Sequence, residues 1–219
     1  YFVGRVEPSA GIFDGLPPPF APNWSQVAFD DGAWPTVQGP LGFDATLTGV
    51  TSYIPLLGTN TNTILFAMRN NSVSVYGRRA FTLTLAQYDS ITSLNMTVDW
   101  DDGYALFLNG IELSRANVGG TPGTLIPWYT SASDHGASAD FNPNDPMRKV
   151  TIAVDKSRLQ VGKNVLAGQL HNSSSGSSDL LLDVQFSANT TSGNLPLVQR
   201  NDVWTYFRPT AEIGTVVTA

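Results

Sequence analysis

Val98-Asp99-Trp100-Asp101-Asp102-Gly103-Tyr104-Ala105-Leu106-Phe107-Leu108-Asn109-Gly110-Ile111-Glu112-Leu113 decides the fold class of this chain. It predicts a strand, an acidic tight turn, a second strand, an Asn-Gly turn and a third strand. Asp-Gly and Asn-Gly are strong hairpin signals because their residues tolerate the positive φ of a two-residue turn. Tyr104 to Leu108 is apolar throughout, as expected of a strand buried in a sandwich core. Outward from this stretch, strands are predicted at 63–68, 76–85 and 149–154. A turn from Leu159 leads into another that ends at His171, and 179–186 is expected to be the last core strand. Phe81-Thr82-Leu83-Thr84-Leu85 alternates with the period of a half-buried strand. Helical periodicity extends nowhere beyond about a turn.

Composition bounds the function. A chain of 219 residues suits one large all-β domain. A domain of that size buries roughly 70% of its unfolded surface, so neither disulfide nor metal is required for stability. There is no cysteine, and 12 Lys and Arg stand against 18 Asp and Glu, for a net charge of −6. Arg78-Arg79 and Arg148-Lys149 are the adjacent basic pairs, too few to neutralise a phosphate backbone, which argues against nucleic acid. No apolar run reaches the roughly 18 residues of a membrane span. A low-charge surface rich in Thr, Ser, Asn and Gly, with Lys149, Lys156 and Lys163 its only lysines, fits an extracellular or cell-surface β protein. Sequons stand at Asn23, Asn70, Asn95, Asn172 and Asn189 and matter only in a glycosylating host.

Three segments are expected. Residues 1–23 form an extended lead-in whose Pro17-Pro18-Pro19 cannot join a sheet ladder. Residues 24–190 form the β-sandwich module. Residues 191–219 form a linker and a C-terminal strand. Tyr1-Phe2-Val3-Gly4-Arg5-Val6-Glu7 is echoed by Tyr206-Phe207-Arg208-Pro209-Thr210-Ala211-Glu212, and the chain starts at Tyr1 rather than Met. This reads as a piece of something longer. The uncharged, β-prone tail with Thr215, Val216 and Val217 is then an intersubunit strand given to a neighbour, or the start of a next repeat. The other reading is a strand that closes its own sandwich.

Taken in order, several segments resemble the galactose-binding-domain-like jelly rolls of large secreted bacterial proteins, where they often stand beside hydrolase or adhesion domains. The matching residues are Phe29 to Trp34, Gly39 to Gly42, Asp101 to Gly110, Gly162 to His171 and Ser177 to Asp183. The resemblance covers about 24 to 188 and implies an all-β jelly-roll β-sandwich with long loops. Gln169 departs from it, standing where an acidic residue is usual. The loops 44–62 and 116–145 are also unusually long, which leaves them for this protein's own function.

For sugar binding, an aromatic platform beside polar groups is needed. Trp128 and Tyr129, with Asp134, His135 and Asn142 in the same excursion, fit best. The alternative is that Trp128 and Tyr129 fold down as a lid on the sandwich, while Trp24, Trp34 and Trp100 belong to the core. Asp101 with Asp102, and Asp30 with Asp31 and Asp44, could hold a structural calcium through hard carboxylate oxygens. The alternative is that they cap their own turns. His171 ends an apolar strand and reads as a hydrogen-bonded core residue rather than a zinc ligand.

Catalytic motifs are missing: there is no Gly-x-Ser-x-Gly, no His-Glu-x-x-His and no Gly-rich phosphate loop. Nothing singles out a carboxylate pair of the glycosidase kind. The expectation is therefore a non-enzymatic module with no required cofactor. Two functions stand: a structural or adhesive repeat or subunit of a surface assembly or fibre, whose partners are copies of itself or neighbouring repeats, or a carbohydrate-binding module that tethers a larger secreted protein to polysaccharide.

Overall fold

The computed structural model describes residues 23–46, 52–124, 126–134 and 149–209. These residues form an all-β sandwich of two antiparallel sheets. The strands are β1 (Thr36–Gln38), β2 (Leu41–Asp44), β3 (Ser74–Leu83), β4 (Ile91–Asp101), β5 (Gly103–Leu108), β6 (Ile111–Ala116), β7 (Lys149–Ile152), β8 (Gly162–His171), β9 (Asp179–Thr190), β10 (Gly193–Val198) and β11 (Val203–Phe207). The six-stranded sheet runs β1-β11-β3-β8-β5-β6. The five-stranded sheet runs β10-β9-β4-β7, with β2 on β9 beside β10.

The deciding stretch forms its strands but not both of its hairpins. Asn109 and Gly110 have φ of 53° and 85°, as a tight turn between β5 and β6 requires, and those strands pair. Asp101-Asp102-Gly103 is not a hairpin turn. β4 pairs with β7 and β9, whereas β5 pairs with β6 and β8, so this corner carries the chain from one sheet to the other. Its two carboxylates hold it. Asp101 accepts from the Tyr53 hydroxyl at 2.6 Å, and Asp102 accepts from the Ser173 amide at 2.7 Å.

Two further expectations are corrected. The strand expected at 63–68 is helical: α1 (Thr61–Leu65) runs into a 3-10 turn that buries Leu65 and Met68. Residues 84–90 leave the sheet as α2 (Leu85–Ser90), because Thr84 and Gln87 cap each other's backbone amides. The second correction concerns the C-terminal region. β9 is not the last core strand, since β10 pairs with β9, and β11 lies between β1 and β3. Tyr206 and Phe207 stand opposite Gly77 and Tyr76 of the chain's own β3. The division drawn at 190 therefore falls inside the sandwich, which extends through 207. Thr215, Val216 and Val217 lie outside the described residues, as does the lead-in up to residue 22.

The apolar run of β5 is explained by burial on both sides. Tyr104, Leu106 and Leu108 face the inter-sheet core with Val98, Trp100, Leu166, Leu170, Leu182 and Phe186. Ala105 and Phe107 face the other way, into a second core with Trp24, Tyr76, Val165, Ala167, Ile126 and Trp128. Gly168 admits the opposite sheet: a Cβ there would stand 2.9 Å from Leu182 Cδ2.

One edge of the second core is built on Arg78, which points out from β3 yet is only 1% exposed. Its guanidinium donates to the carbonyl oxygens of Trp24, Gln26 and Phe29 and to Asp31 Oδ2 at 3.0 Å, and it lies 5.0 Å from the Phe29 ring centroid. Asp31 also accepts from the Thr205 hydroxyl at 2.7 Å. Burial pushes the Asp31 carboxyl up, but the hydrogen bonds of Thr205 and Arg78 and the Arg78 charge outweigh it and hold it below its usual value. Stability from this group is present above its unfolded pKa and lost as pH falls through the folded one.

Arg78→Ala takes one donor from each of three carbonyls and from a carboxylate whose charge it balances. It is expected to cost about 3–5 kcal/mol in urea unfolding. Asp202→Asn takes the charge from the partly exposed Arg79 pair but keeps an amide oxygen that can accept from Gln199 N, and it is expected to cost under about 1 kcal/mol. Equal losses would show that Arg78 does not anchor the segment 24–34.

Candidate functional site

The excursion after β6 is the sugar site expected from sequence, and its described part buries one of the two rings of the expected platform. Trp128 is 4% exposed and belongs to the second core, so no ring face is open for a sugar to stack on. Trp128 folds down onto the sandwich as the lid alternative has it, whereas Tyr129 does not. Tyr129 is exposed and packs edge-on against Trp128, with ring centroids 5.8 Å apart. Asp134 is exposed at the end of the described stretch, and His135 and Asn142 lie outside the described residues.

This lid is pinned by alternate carbonyls. Ile126 O accepts from Gln169 Nε2 at 2.9 Å, and Trp128 O accepts from Ser74 Oγ at 2.6 Å. Thr130 O bonds His171 Nδ1 at 2.7 Å. Gln169 also donates to the Tyr76 hydroxyl at 3.0 Å. The departure from the family pattern thus has a local explanation: a neutral amide donates to two buried oxygens, which a carboxylate could not do. Burial, only partly opposed by the Thr130 hydrogen bond, pulls the His171 pKa down to about 4. This histidine is a neutral core residue.

The five carboxylates considered for calcium divide between two places. Asp30 accepts from the Gly32 amide at 2.9 Å, and Asp31 is committed to Arg78 and Thr205. Asp44 lies with the other group, where it accepts from the amides of Thr46 and Tyr53 at 2.6 and 2.7 Å. Asp101 and Asp102 hold the inter-sheet corner. Among the described residues no group of three or more His, Cys, Asp or Glu could hold a metal ion. Each of the five carboxylates has at least one oxygen that accepts from a backbone amide, a hydroxyl or a guanidinium within the chain. Burial, with added repulsion from Asp179 and Asp102, pushes Asp101 up to about 8 despite the Tyr53 hydrogen bond.

A different surface is open. The outer face of the five-stranded sheet carries a trough of about 640 Å³ across β4, β9 and β10. Such a volume lies within the roughly 300–1,000 Å³ of ligand sites. Asn95, Thr97, Gln185, Ser187 and Asn194 form its floor, and the turn 199–202 forms one wall. These residues share a face because Asn95 stands opposite Ser187, Thr97 opposite Gln185, and side chains alternate along each strand. The wall turn is seated by Gly39 N donating to Asp202 O at 2.8 Å and by Gln199 N donating to Asp202 Oδ2 at 3.0 Å. Arg200 donates from Nε and Nη2 to one oxygen of Asp183, at 2.9 and 2.5 Å. Sequence reading missed this face. Its signal was there in the alternation Asn95-Met96-Thr97 and Gln185-Phe186-Ser187, polar residues flanking a buried one.

No protein-family model and no curated protein matches the chain. Solved structures similar to it include the α-L-rhamnosidase of Streptomyces avermitilis complexed with L-rhamnose, at 19% identity and a TM-score of 0.40 over 67% of this chain and 12% of that one. The α-L-rhamnosidase of Dictyoglumus thermophilum is similar at 12% identity and a TM-score of 0.38, over 63% of this chain and 14% of that one. That of Aspergillus terreus is similar at 13% identity and a TM-score of 0.40, over 64% and 16%. The chain spans only a small part of the length of these proteins.

The raised Asp101 pKa sets a direction for pH dependence. The folded state holds a proton that the unfolded state, with a carboxyl near 3.9, releases. Stability from it is complete below about pH 4 and is lost as pH rises to about 8. His171 acts oppositely, but only below about pH 6.5, where the unfolded imidazole charges. Between about pH 6.5 and 8 the Asp101 effect stands apart from it. Thermal melts are expected to show Tm falling across that window, and Asp101→Asn is expected to flatten the fall. An unchanged slope in the variant would show that Asp101 is ionised in the fold.

Proposed function

We propose that this chain is a non-catalytic, extracellular carbohydrate-binding module of the galactose-binding-like jelly-roll type, with the trough on the five-stranded sheet as its binding surface. The trough itself carries the reading. Amide and hydroxyl side chains stand in rows on a rigid sheet, and they can donate to and accept from the hydroxyls of a sugar at once. A site built on strands holds its polar groups more rigidly than one built on loops. The face around it is neither apolar, as an obligate protein interface would be, nor strongly basic, as a phosphate-binding surface would be.

Assembly with copies of itself is the other proposal. It drew support from the echo of residues 1–7 at 206–212 and from the uncharged tail. Tyr206 and Phe207 are used within the chain's own six-stranded sheet, and the tail lies outside the described residues. The trough therefore favours sugar binding.

Ser187→Trp places an indole on the trough floor at a half-exposed strand position, where a surface change costs within about 0.5 kcal/mol. On a glycan array it is expected to lose the signal of the parent chain, while Tyr129→Ala keeps it. The reverse pattern would return the site to the lid, and a parent chain that binds no glycan while sedimenting as an oligomer would favour assembly.

A further inference from the structure

Resting on the carbohydrate reading, we propose that Arg200 is the specificity-determining contact of the trough, donating to hydroxyl oxygens along an interior stretch of an uncharged polysaccharide. The guanidinium is oriented before any ligand arrives. Its Nε and Nη2 both bond Asp183 Oδ2, while Nη1 has no protein partner among the described residues and the side chain is 37% exposed. The turn that carries it is fixed by Gly39, by Asp202 and by Gln38 Nε2, which donates to Asn201 O at 3.2 Å. A donor held in place on a fixed turn loses little conformational freedom on binding.

Asp183 completes the unit. It is buried on β9, beneath the trough, and balances the charge of the guanidinium. Arg200 paired with Asp183 therefore offers an unused donor, Nη1, with no net charge, which suits a hydroxyl oxygen rather than a carboxylate. The other ion pair at the wall, Arg79 with Asp202, is also internally neutral. With the chain at −6 overall, nothing here favours a polyanion.

The shape of the site points to the side of a polymer. The trough lies open along a sheet face and crosses three strands spaced about 4.8 Å apart. That spacing is of the same order as the repeat of a pyranose chain, so successive sugars meet successive strands. The one aromatic residue in its lining, Phe186, is 1% exposed and faces the core. Recognition then rests on hydrogen bonds, and these discriminate hydroxyl stereochemistry more sharply than stacking does.

Native electrophoresis through gels containing galactomannan, xyloglucan or arabinoxylan, with polygalacturonate as the acidic comparison, tests this. Arg200→Gln alone leaves a buried carboxylate unpaired, so the Arg200→Gln/Asp183→Asn double variant is run beside it, with thermal melts of both. The expected result is retardation of the parent chain by at least one neutral polymer and not by polygalacturonate. Affinity should be about tenfold weaker in the double variant at an unchanged Tm, and retardation should be absent in Ser187→Trp. Retardation lost in Ser187→Trp but unchanged in the double variant would overturn the role of Arg200 and leave the trough standing. Retardation by polygalacturonate alone would overturn the uncharged ligand. No retardation in any gel would overturn both this inference and the carbohydrate reading.

Discussion

A single buried guanidinium governs what can lie on the six-stranded sheet. Arg78 stands on the outer face of β3, where an open sheet would simply leave it in water. Here the segment 24–34 closes over it, and the cost of removing a cation from water is offset by one carboxylate, three carbonyls and the Phe29 ring face. Arginine suits the place because its fork carries five donors; a lysine has three and no planar face to lay on phenylalanine. With the segment so fixed, Trp24 reaches Tyr76 and Phe107 edge-on, and Trp34 stacks on Phe207. Entry to and exit from the sandwich are thereby fastened together.

The other half of the cover uses the same logic with neutral groups. Ser74, Gln169 and His171 rise from β3 and β8 and engage every second carbonyl from Ile126 to Thr130. Apolar contact alone would let such a loop slide, since hydrophobic burial has no direction. Three hydrogen bonds at fixed positions give the lid one register. The layers thus differ in kind: an apolar seam between the sheets, and an apolar patch with polar pins above one of them.

The strands with apolar runs or clear alternation were legible from residue pattern, because burial dictates it: β5, β8 and most of β9 stood where expected. The Asn-Gly turn was legible because its backbone needs positive φ. The Asp-Asp-Gly corner was not, since a short-range signal cannot say whether the next strand pairs with its predecessor or crosses to the facing sheet. Residues 61–68 were misread because a short buried apolar run looks alike in helix and strand. Trp128 shows the same limit for a site. An aromatic pair in a polar excursion suggests an exposed platform until the second core, assembled from six separate segments, claims one of the rings. The trough escaped notice because its residues are unremarkable singly and meet only through the register of β4, β9 and β10.

Burying both faces of one sheet divides the molecule's freedom to vary. Along β5, most of β8 and the Ser74–Arg78 half of β3 the side chains are buried on both faces, so inheritable change there meets a packing constraint whichever way the residue points. Asn95, Thr97, Gln185, Ser187 and Asn194 have no such obligation; behind them the inter-sheet core continues undisturbed. Descendants of this chain can therefore exchange that set of side chains, and with it whatever the face touches, while the scaffold stays the same. The sandwich is conservative on one side and free to drift on the other.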